Sequence, residues 1–289
     1  MFDVVIVIPC FNEGDRLPAN QFVAFLRRHS HISFLFVDDG SSDNTRVVLR
    51  RLADAADDRV LIHEMPRNRG KAEAVRQGCL IAFERGARFV GYWDADLATP
   101  LEAIADFLAV FDEHPQVQLV CGARVQMLGR SIRRNGLRHY LGRVFATAAS
   151  LMLRLPVYDT QCGAKLFRAS RNLRLVFSQP FLTRWLIDVE ILARLLALER
   201  QQEDFAVAEA VHELPLRQWH DVNGSKVKPL DLPKALLALR GIHRRYLGHG
   251  VVWPAMADAR AVHSETVPIR PNRLLLVDGQ DEARRPLAG

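Results

Sequence analysis

Five short apolar runs punctuate the first 125 residues, at 4–8, 34–37, 60–63, 89–93 and 117–121. Each is four or five residues long, too short for a helix and bounded by polar or glycine-containing segments, so each predicts a buried β-strand. The intervening stretches, 18–29, 44–56, 71–85 and 100–113, space their apolar residues at helical intervals. Strands alternating with helices of this length predict βαβ units, and hence an α/β fold with a mainly parallel sheet flanked by helices. In open sheets of this kind ligands bind beyond the carboxyl ends of the strands. The segments after the first, second and fourth runs are therefore the first places to look for chemistry.

Past residue 125 the alternation stops. Leu137, Tyr140, Leu141, Val144, Phe145, Ala148, Met152 and Leu155 form one long apolar stripe at helical spacing, with Arg133, Arg134, Arg138 and Arg143 around its start. A second stripe, Leu232, Ala235, Leu236, Leu239, Ile242 and Tyr246, carries Lys234, Arg240, Arg244 and Arg245. Amphipathic, basic stretches of this kind suit a membrane interface as well as a core. The last forty residues mix Pro, Arg and Asp without periodicity. The expected organisation is a main domain over 1–228, a basic amphipathic helix over 229–248 and a poorly ordered tail over 249–289.

Composition narrows the partners. The 289 residues include 39 Lys and Arg against 33 Asp and Glu, a net charge of +6 that favours anions without choosing among them. The four cysteines, Cys10, Cys79, Cys121 and Cys162, show no paired spacing and read as small buried residues of a reduced compartment. The N-terminus runs straight into the first strand, with no basic leader and no cleavage site. No stretch approaches the length of a membrane span. The expected location is the cytoplasm, with peripheral contact at the inner face of the membrane as an option for the basic stripes.

The sharpest chemical signal is Asp94-Ala95-Asp96, directly after the fourth run. Along a strand, alternate side chains share a face, so the two carboxylates are expected to project together. Paired carboxylates repel unless a cation lies between them, and a hard divalent ion such as Mg2+ or Mn2+ takes oxygen ligands and shares substrate phosphates. After the second run, Asp38-Asp39-Gly40-Ser41-Ser42-Asp43 places carboxylates where a nucleobase N–H or ribose hydroxyl could be accepted, although any one of Ser41, Ser42 or Asp43 could simply cap the next helix. Arg67-Asn68-Arg69-Gly70-Lys71 enters a helix, whose N-terminus is a ready site for a diphosphate.

Pro9, Asn12 and Glu13, then Asp38, Asp39, Gly40, Ser41 and Asp43, then Asn68, Gly70 and Lys71, then Asp94 and Asp96, form four ordered motifs that resemble the family-2 glycosyltransferases of GT-A type. Cys121–Arg124, 159–167, 184–190, Trp219 and 224–226 narrow the likeness to the polyprenyl-phosphate sugar transferases, the dolichyl-phosphate β-glucosyltransferases above all. The resemblance implies nucleotide contacts at Pro9, Asn12, Glu13, Asp38, Asp39, Lys71 and Asp94, with the divalent metal on Asp94 and Asp96. It implies a nucleotide-sugar donor, UDP-glucose by the nearest likeness, and a polyprenyl phosphate acceptor. Arg124, Arg133, Arg134, Gln161, Lys165, Ser225 and Lys226 are candidates to hold that acceptor phosphate, and Asp159 to contact metal or acceptor. A phosphate is already an anion and needs no base, whereas a soluble or glycan hydroxyl would need one, and Asp188 is the carboxylate for that role. Asp96, Asp159 and Asp188 are thus the catalytic candidates. A dinucleotide oxidoreductase is excluded by the lack of G-x-G-x-x-G after the first strand, and nucleic-acid binding by basic residues that do not interleave with aromatics.

Overall fold

The computed structural model describes residues 3–133, 136–222 and 232–248. All five anticipated strands are present: β1 (Val4–Cys10), β2 (Ile32–Asp38), β3 (Val60–Glu64), β4 (Phe89–Trp93) and β5 (Leu119–Ala123). The four intervening helices are α1 (Ala19–Arg28), α2 (Thr45–Ala55), α3 (Lys71–Glu84) and α4 (Ala103–Glu113). The second half adds β6 (Ser131–Arg133), α5 (Gly136–Leu153), β7 (Ala164–Arg168), α6 (Arg171–Ser178), α7 (Ile187–Glu199) and α8 (Val207–Ala210). It ends with β8 (Val211–Pro215), β9 (Gln218–His220) and α9 (Leu232–Ile242), which runs on into a π-helical turn at His243–Leu247.

The seven-stranded sheet has the order β3-β2-β1-β4-β7-β5-β8, and β6 pairs with β9 in a separate ribbon. Every pairing in the large sheet is parallel except those of β7, which runs antiparallel between β4 and β5. Side-chain alternation along β1 divides the core. Val5 and Val7 point to one face, packed by α3, α6 and α7, and Val4, Ile6 and Ile8 to the other, packed by α1, α2 and α4. Both faces of the sheet are covered, which explains why its strands read as continuous apolar runs rather than alternating ones.

Two patterns differ from the sequence expectation. The buried face of α5 is Phe145, Ala146, Ala149 and Leu153, whereas Tyr140 and Val144 are exposed. The stripe predicted through Tyr140 and Val144 is thus rotated toward Ala146 and Ala149. The 232–248 segment does not stand apart. Ala235, Leu239, Ile242, Tyr246 and Leu247 join the main core against α5 and α7, leaving Leu236 and Leu237 exposed beside Lys234, Arg240, Arg244 and Arg245. The tail at 249–289 lies outside the described residues.

Candidate active site

The loops after β1 and β2 are built as one unit. Asn12 sits in the left-handed region at φ 52°, which Asn tolerates better than most residues. Its amide donates to Ser41 Oγ at 2.9 Å, and its own Oδ1 accepts the Ser42 amide at 2.9 Å. The Glu13 amide donates to Thr45 Oγ1 at 2.8 Å and the Gly14 amide to Asp43 Oδ2 at 3.1 Å. Asp43 also accepts the Thr45 amide at 3.0 Å, two residues on, while the residue in the N-cap position of α2 is Asn44. Pro9 lies half-buried at the end of β1.

Asp38 and Asp39 are both buried and both engaged by the protein. Asp38 is fully sealed, accepting from Arg46 Nε at 2.8 Å and from the Ser41 amide at 3.1 Å. A carboxylate so enclosed shapes the turn, and the nucleotide contact expected of it is not what its surroundings offer. Asp39 accepts the amides of Arg69 at 2.6 Å and Gly70 at 2.8 Å. Burial pushes its carboxyl up against the opposing pull of those two amides. The Ala72 amide is also taken, by the Arg184 carbonyl at 2.9 Å. The Arg69, Gly70 and Ala72 amides at the start of α3 are therefore already donated inside the protein. What α3 offers a phosphate is the Lys71 ammonium. Gly70 has φ +97°, and a Cβ there would collide with Arg184, so glycine is required on both counts.

Asp94 and Asp96 do not continue the strand. β4 ends at Trp93, and the pair sits in a turn closed by the Leu97 amide donating to the Asp94 carbonyl at 3.2 Å. Their proximity comes from this turn, not from the pleat. Asp94 carries Lys71 Nζ on Oδ1 at 2.5 Å, and Asp96 has the Arg16 guanidinium at 3.8 Å. Burial, then the charge of Asp94, pushes the Asp96 carboxyl above its ordinary range. Burial works to lower Lys71, but the carboxylates of Asp94 and Asp188 outweigh it and hold the ammonium charged. Gly163 backs the turn: its carbonyl accepts the Asp94 amide at 2.9 Å, and a Cβ at Gly163 would overlap the Asp94 carboxylate.

Beneath Lys71 lies a buried group that the sequence assigned otherwise. Lys165 is 1% exposed and donates to Asp188 Oδ1 at 2.5 Å and to the Cys162 carbonyl at 2.9 Å. The Tyr92 hydroxyl donates to the same Oδ1. Lys165 thus neutralises Asp188 and does not face an acceptor, because β7 inserts it into the sheet's covered face rather than a loop. Asp188, at the first turn of α7, is 5% exposed.

Arg124, just past β5, holds Asp159 in a two-pronged pair, Nε to Oδ2 at 2.6 Å and Nη2 to Oδ1 at 2.8 Å, with the Arg124 amide on Oδ2 at 3.0 Å. The Gln161 amide adds 3.1 Å to Oδ1. Burial alone would raise the Asp159 carboxyl, but the Arg124 charge and these donors hold it far below the usual carboxylate range. Arg124 also stacks over Trp219 and lies within electrostatic reach of Asp94. A small cleft beside it is lined by Arg124, Arg143, Tyr158, Asp159, Thr160 and Gln161. Arg143, Arg16 and Arg184 are the residues the sequence left unassigned here. Arg143 donates to the Tyr158 carbonyl at 2.6 Å and stacks on that ring, and its position on the α5 arginine cluster was the available signal. Arg133 closes β6, while Arg134, Ser225 and Lys226 lie outside the described residues.

Among the described residues no three His, Cys, Asp or Glu side chains converge as a metal site. Asp94 and Asp96 nonetheless fit a hard divalent ion. Two mutually repelling carboxylates already draw two cationic side chains, and such an ion commonly takes one or two carboxylates plus substrate phosphates. No described helix is long and apolar enough to cross a membrane.

The sequence model described as "Glycosyl transferase family 2" matches residues 5–173. The chain is 31% identical over 253 residues to the dolichyl-phosphate β-glucosyltransferase of Mus musculus, covering 81% of this chain and 74% of the mouse one. It is 28% identical over 264 residues to the enzyme of that name from Saccharomyces cerevisiae, covering 83% and 76%. In fold it is similar to glucosyl-3-phosphoglycerate synthase from Mycobacterium tuberculosis, solved with Mn2+, UDP and glucosyl-3-phosphoglycerate. That likeness has a TM-score of 0.58 at 18% identity, over 84% of this chain and 79% of the other.

Proposed function

This chain belongs to glycosyl transferase family 2, and from that premise we propose that it moves glucose from UDP-glucose to a polyprenyl phosphate of the dolichyl type, with inversion and with a divalent ion. The names of the relatives support the sugar and the lipid, and the UDP and Mn2+ of the structural neighbour support donor and metal. The observation that carries the reading is the state of the carboxylates. Asp188 is buried under Lys165 and Tyr92, and Asp159 is locked to Arg124. Neither is poised to take a proton from a hydroxyl, and a phosphate acceptor requires no such step. The competing reading, a hydroxyl acceptor with Asp188 as base, would require Lys165 and Tyr92 to release it.

In the proposed reaction a phosphate oxygen of the acceptor attacks the anomeric carbon from the face opposite the diphosphate. The bond from that carbon to the diphosphate oxygen breaks, and UDP leaves with the electron pair. Pro9, Asn12, Glu13 and Asp39 frame the nucleoside side, and Lys71 leaves Asp94 to meet the diphosphate. Asp94 and Asp96 would hold Mg2+ or Mn2+, which supplies charge neutralisation for the leaving group. Gln161 and the arginines at 133, 134 and 143 bring the second anion close, since Arg forks match phosphate oxygens, while Arg124, whose fork is taken by Asp159, shapes the wall of that cleft. The exposed leucines and basic residues of 232–248 would meet the membrane surface that carries the lipid.

Two outcomes test this. Label from UDP-[14C]glucose should partition into organic solvent when polyprenyl phosphate and Mn2+ are supplied. Label that stays aqueous and moves onto a glycan would refute the lipid acceptor. Arg133→Ala with Arg134→Ala should raise KM for the lipid about tenfold or more, the scale of losing charge-assisted phosphate contacts, with UDP affinity unchanged in calorimetry. Equal losses for both would assign these arginines to the donor or to the fold.

A further inference from the structure

One buried charged cluster has no part in the chemistry above. Glu190 and Arg194, one turn apart on α7, are both fully buried and paired at 2.9 Å. Burying such a pair is costly, and it repays the cost only if the remaining donors and acceptors find partners. Here the Arg194 Nη1 and Nη2 groups and the Glu190 carboxylate find them, on two separate segments. Arg194 donates to the carbonyls of Val176 at 2.6 Å, Gln179 at 2.7 Å and Pro180 at 2.6 Å, while Glu190 accepts the Leu182 amide at 2.9 Å. Those contacts hold the loop 179–186. From the other side the Tyr246 hydroxyl, in the π-helical turn after α9, donates to Glu190 Oε1 at 2.8 Å and lies 3.0 Å from Arg194 Nη2. Arg200 adds a bond to the Leu247 carbonyl at 3.1 Å.

The loop held in this way reaches the start of α3. The Arg184 side chain bonds the Asn68 side chain, the Arg184 carbonyl takes the Ala72 amide, and Arg184 packs where Gly70 has no Cβ. A chain of contacts therefore runs from Tyr246 through Glu190 and Arg194 to the Leu182 and Thr183 amides, then along the backbone to Arg184, and from there to Asn68, Gly70 and Ala72, which flank Lys71. α9 and its turn present Leu236, Leu237, Lys234, Arg240, Arg244 and Arg245 outward at the far end of that chain.

We propose that Tyr246, Glu190 and Arg194 are positioning residues that make the donor side of the site depend on how the C-terminal helix is docked. The inference rests on the reading of residues 68–71 as the donor side. Contact of the outer face of 232–248 with a surface is then felt at Lys71 through the loop 179–186, without any lipid reaching the nucleotide. The network has a job that packing alone does not explain: a hydrophobic cluster would dock the helix as firmly, but only directional bonds fix the loop's backbone.

Hydrogen exchange on the full chain tests this without any ligand. Tyr246→Phe keeps the ring and removes only the hydroxyl. Amides of 68–74 and 181–186 should exchange about threefold faster or more, as expected of a local opening, with 119–123 in β5 unchanged. Arg184→Ala should accelerate 68–74 while Leu182 stays protected, because Glu190 still holds it. Acceleration confined to 181–186, or spread evenly over the sheet, would overturn the inference. Titration with UDP and with GDP in Mn2+ then reads the consequence: affinity should fall about threefold or more in Tyr246→Phe with the KM for lipid phosphate unmoved. Wild-type protein that binds neither nucleotide would sink the donor reading, while the exchange result would still decide the coupling.

Discussion

Asp96→Ala is expected to lower turnover about a thousandfold, the several kcal/mol that metal neutralisation of a departing diphosphate supplies. The same variant should lose Mn2+-dependent UDP binding in calorimetry. It should not lose stability. Burial and the neighbouring Asp94 charge already make the ionised Asp96 unwelcome in the fold, which is why its carboxyl titrates high. A group that the fold holds at a cost is a candidate for function. Asp96→Asn should match the alanine variant, because the charge is what is lost. Wild-type turnover in either variant, with the thermal midpoint intact, would remove Asp96 from the metal site.

Arg124→Met is expected to destabilise the protein by about 3–5 kcal/mol, the scale of stranding one partner of a buried pair. Asp159 would keep its burial and the amides of Arg124 and Gln161 but lose the compensating charge. Arg124→Met with Asp159→Asn should recover more than half of the loss, since removing both charges leaves neither uncompensated. The pH dependence has a definite sign. The Asp159 carboxyl titrates lower in the fold than in the unfolded chain, so the folded state binds fewer protons there. Its contribution is complete above the unfolded value of about 4 and fades as pH falls below it toward the folded value. The stability gap between wild type and Arg124→Met, read from denaturant midpoints, should therefore narrow between pH 5 and pH 2, as estimated from those values. A gap of constant size across that range would show that the pair contributes packing rather than charge.

Much of the site was legible from local pattern, and the exceptions share one cause. β1 to β5 and the four helices between them were visible because each is an uninterrupted apolar run or a helical period, and the motif residues lay at the strand ends where a parallel sheet presents them. β7 was not visible as a strand. Its five residues, Ala164–Arg168, include a lysine at a covered position, and the counter-charge that offsets it is Asp188 from α7, 23 residues later. The same distance hid the pairing of Lys165 with Asp188, read separately as a phosphate clamp and a base. The amides at the start of α3 were likewise read as free for a ligand, since nothing local announces that Asp39 and Arg184 take them.

Sequence pattern by itself determined the α/β class, the order of the first nine elements and the side of the sheet on which the chemistry gathers, because period and run length are properties of neighbouring residues. It also determined the family, because the motifs are contiguous. Only the tertiary structure decided which charges meet. Lys71 with Asp94, Arg124 with Asp159, Lys165 with Asp188 and Tyr246 with Glu190 are each brought together from 23 to 56 residues apart. Whether a carboxylate is a ligand, a base or a buried counterion depends on the partner that folding places against it, and chain order does not carry that information.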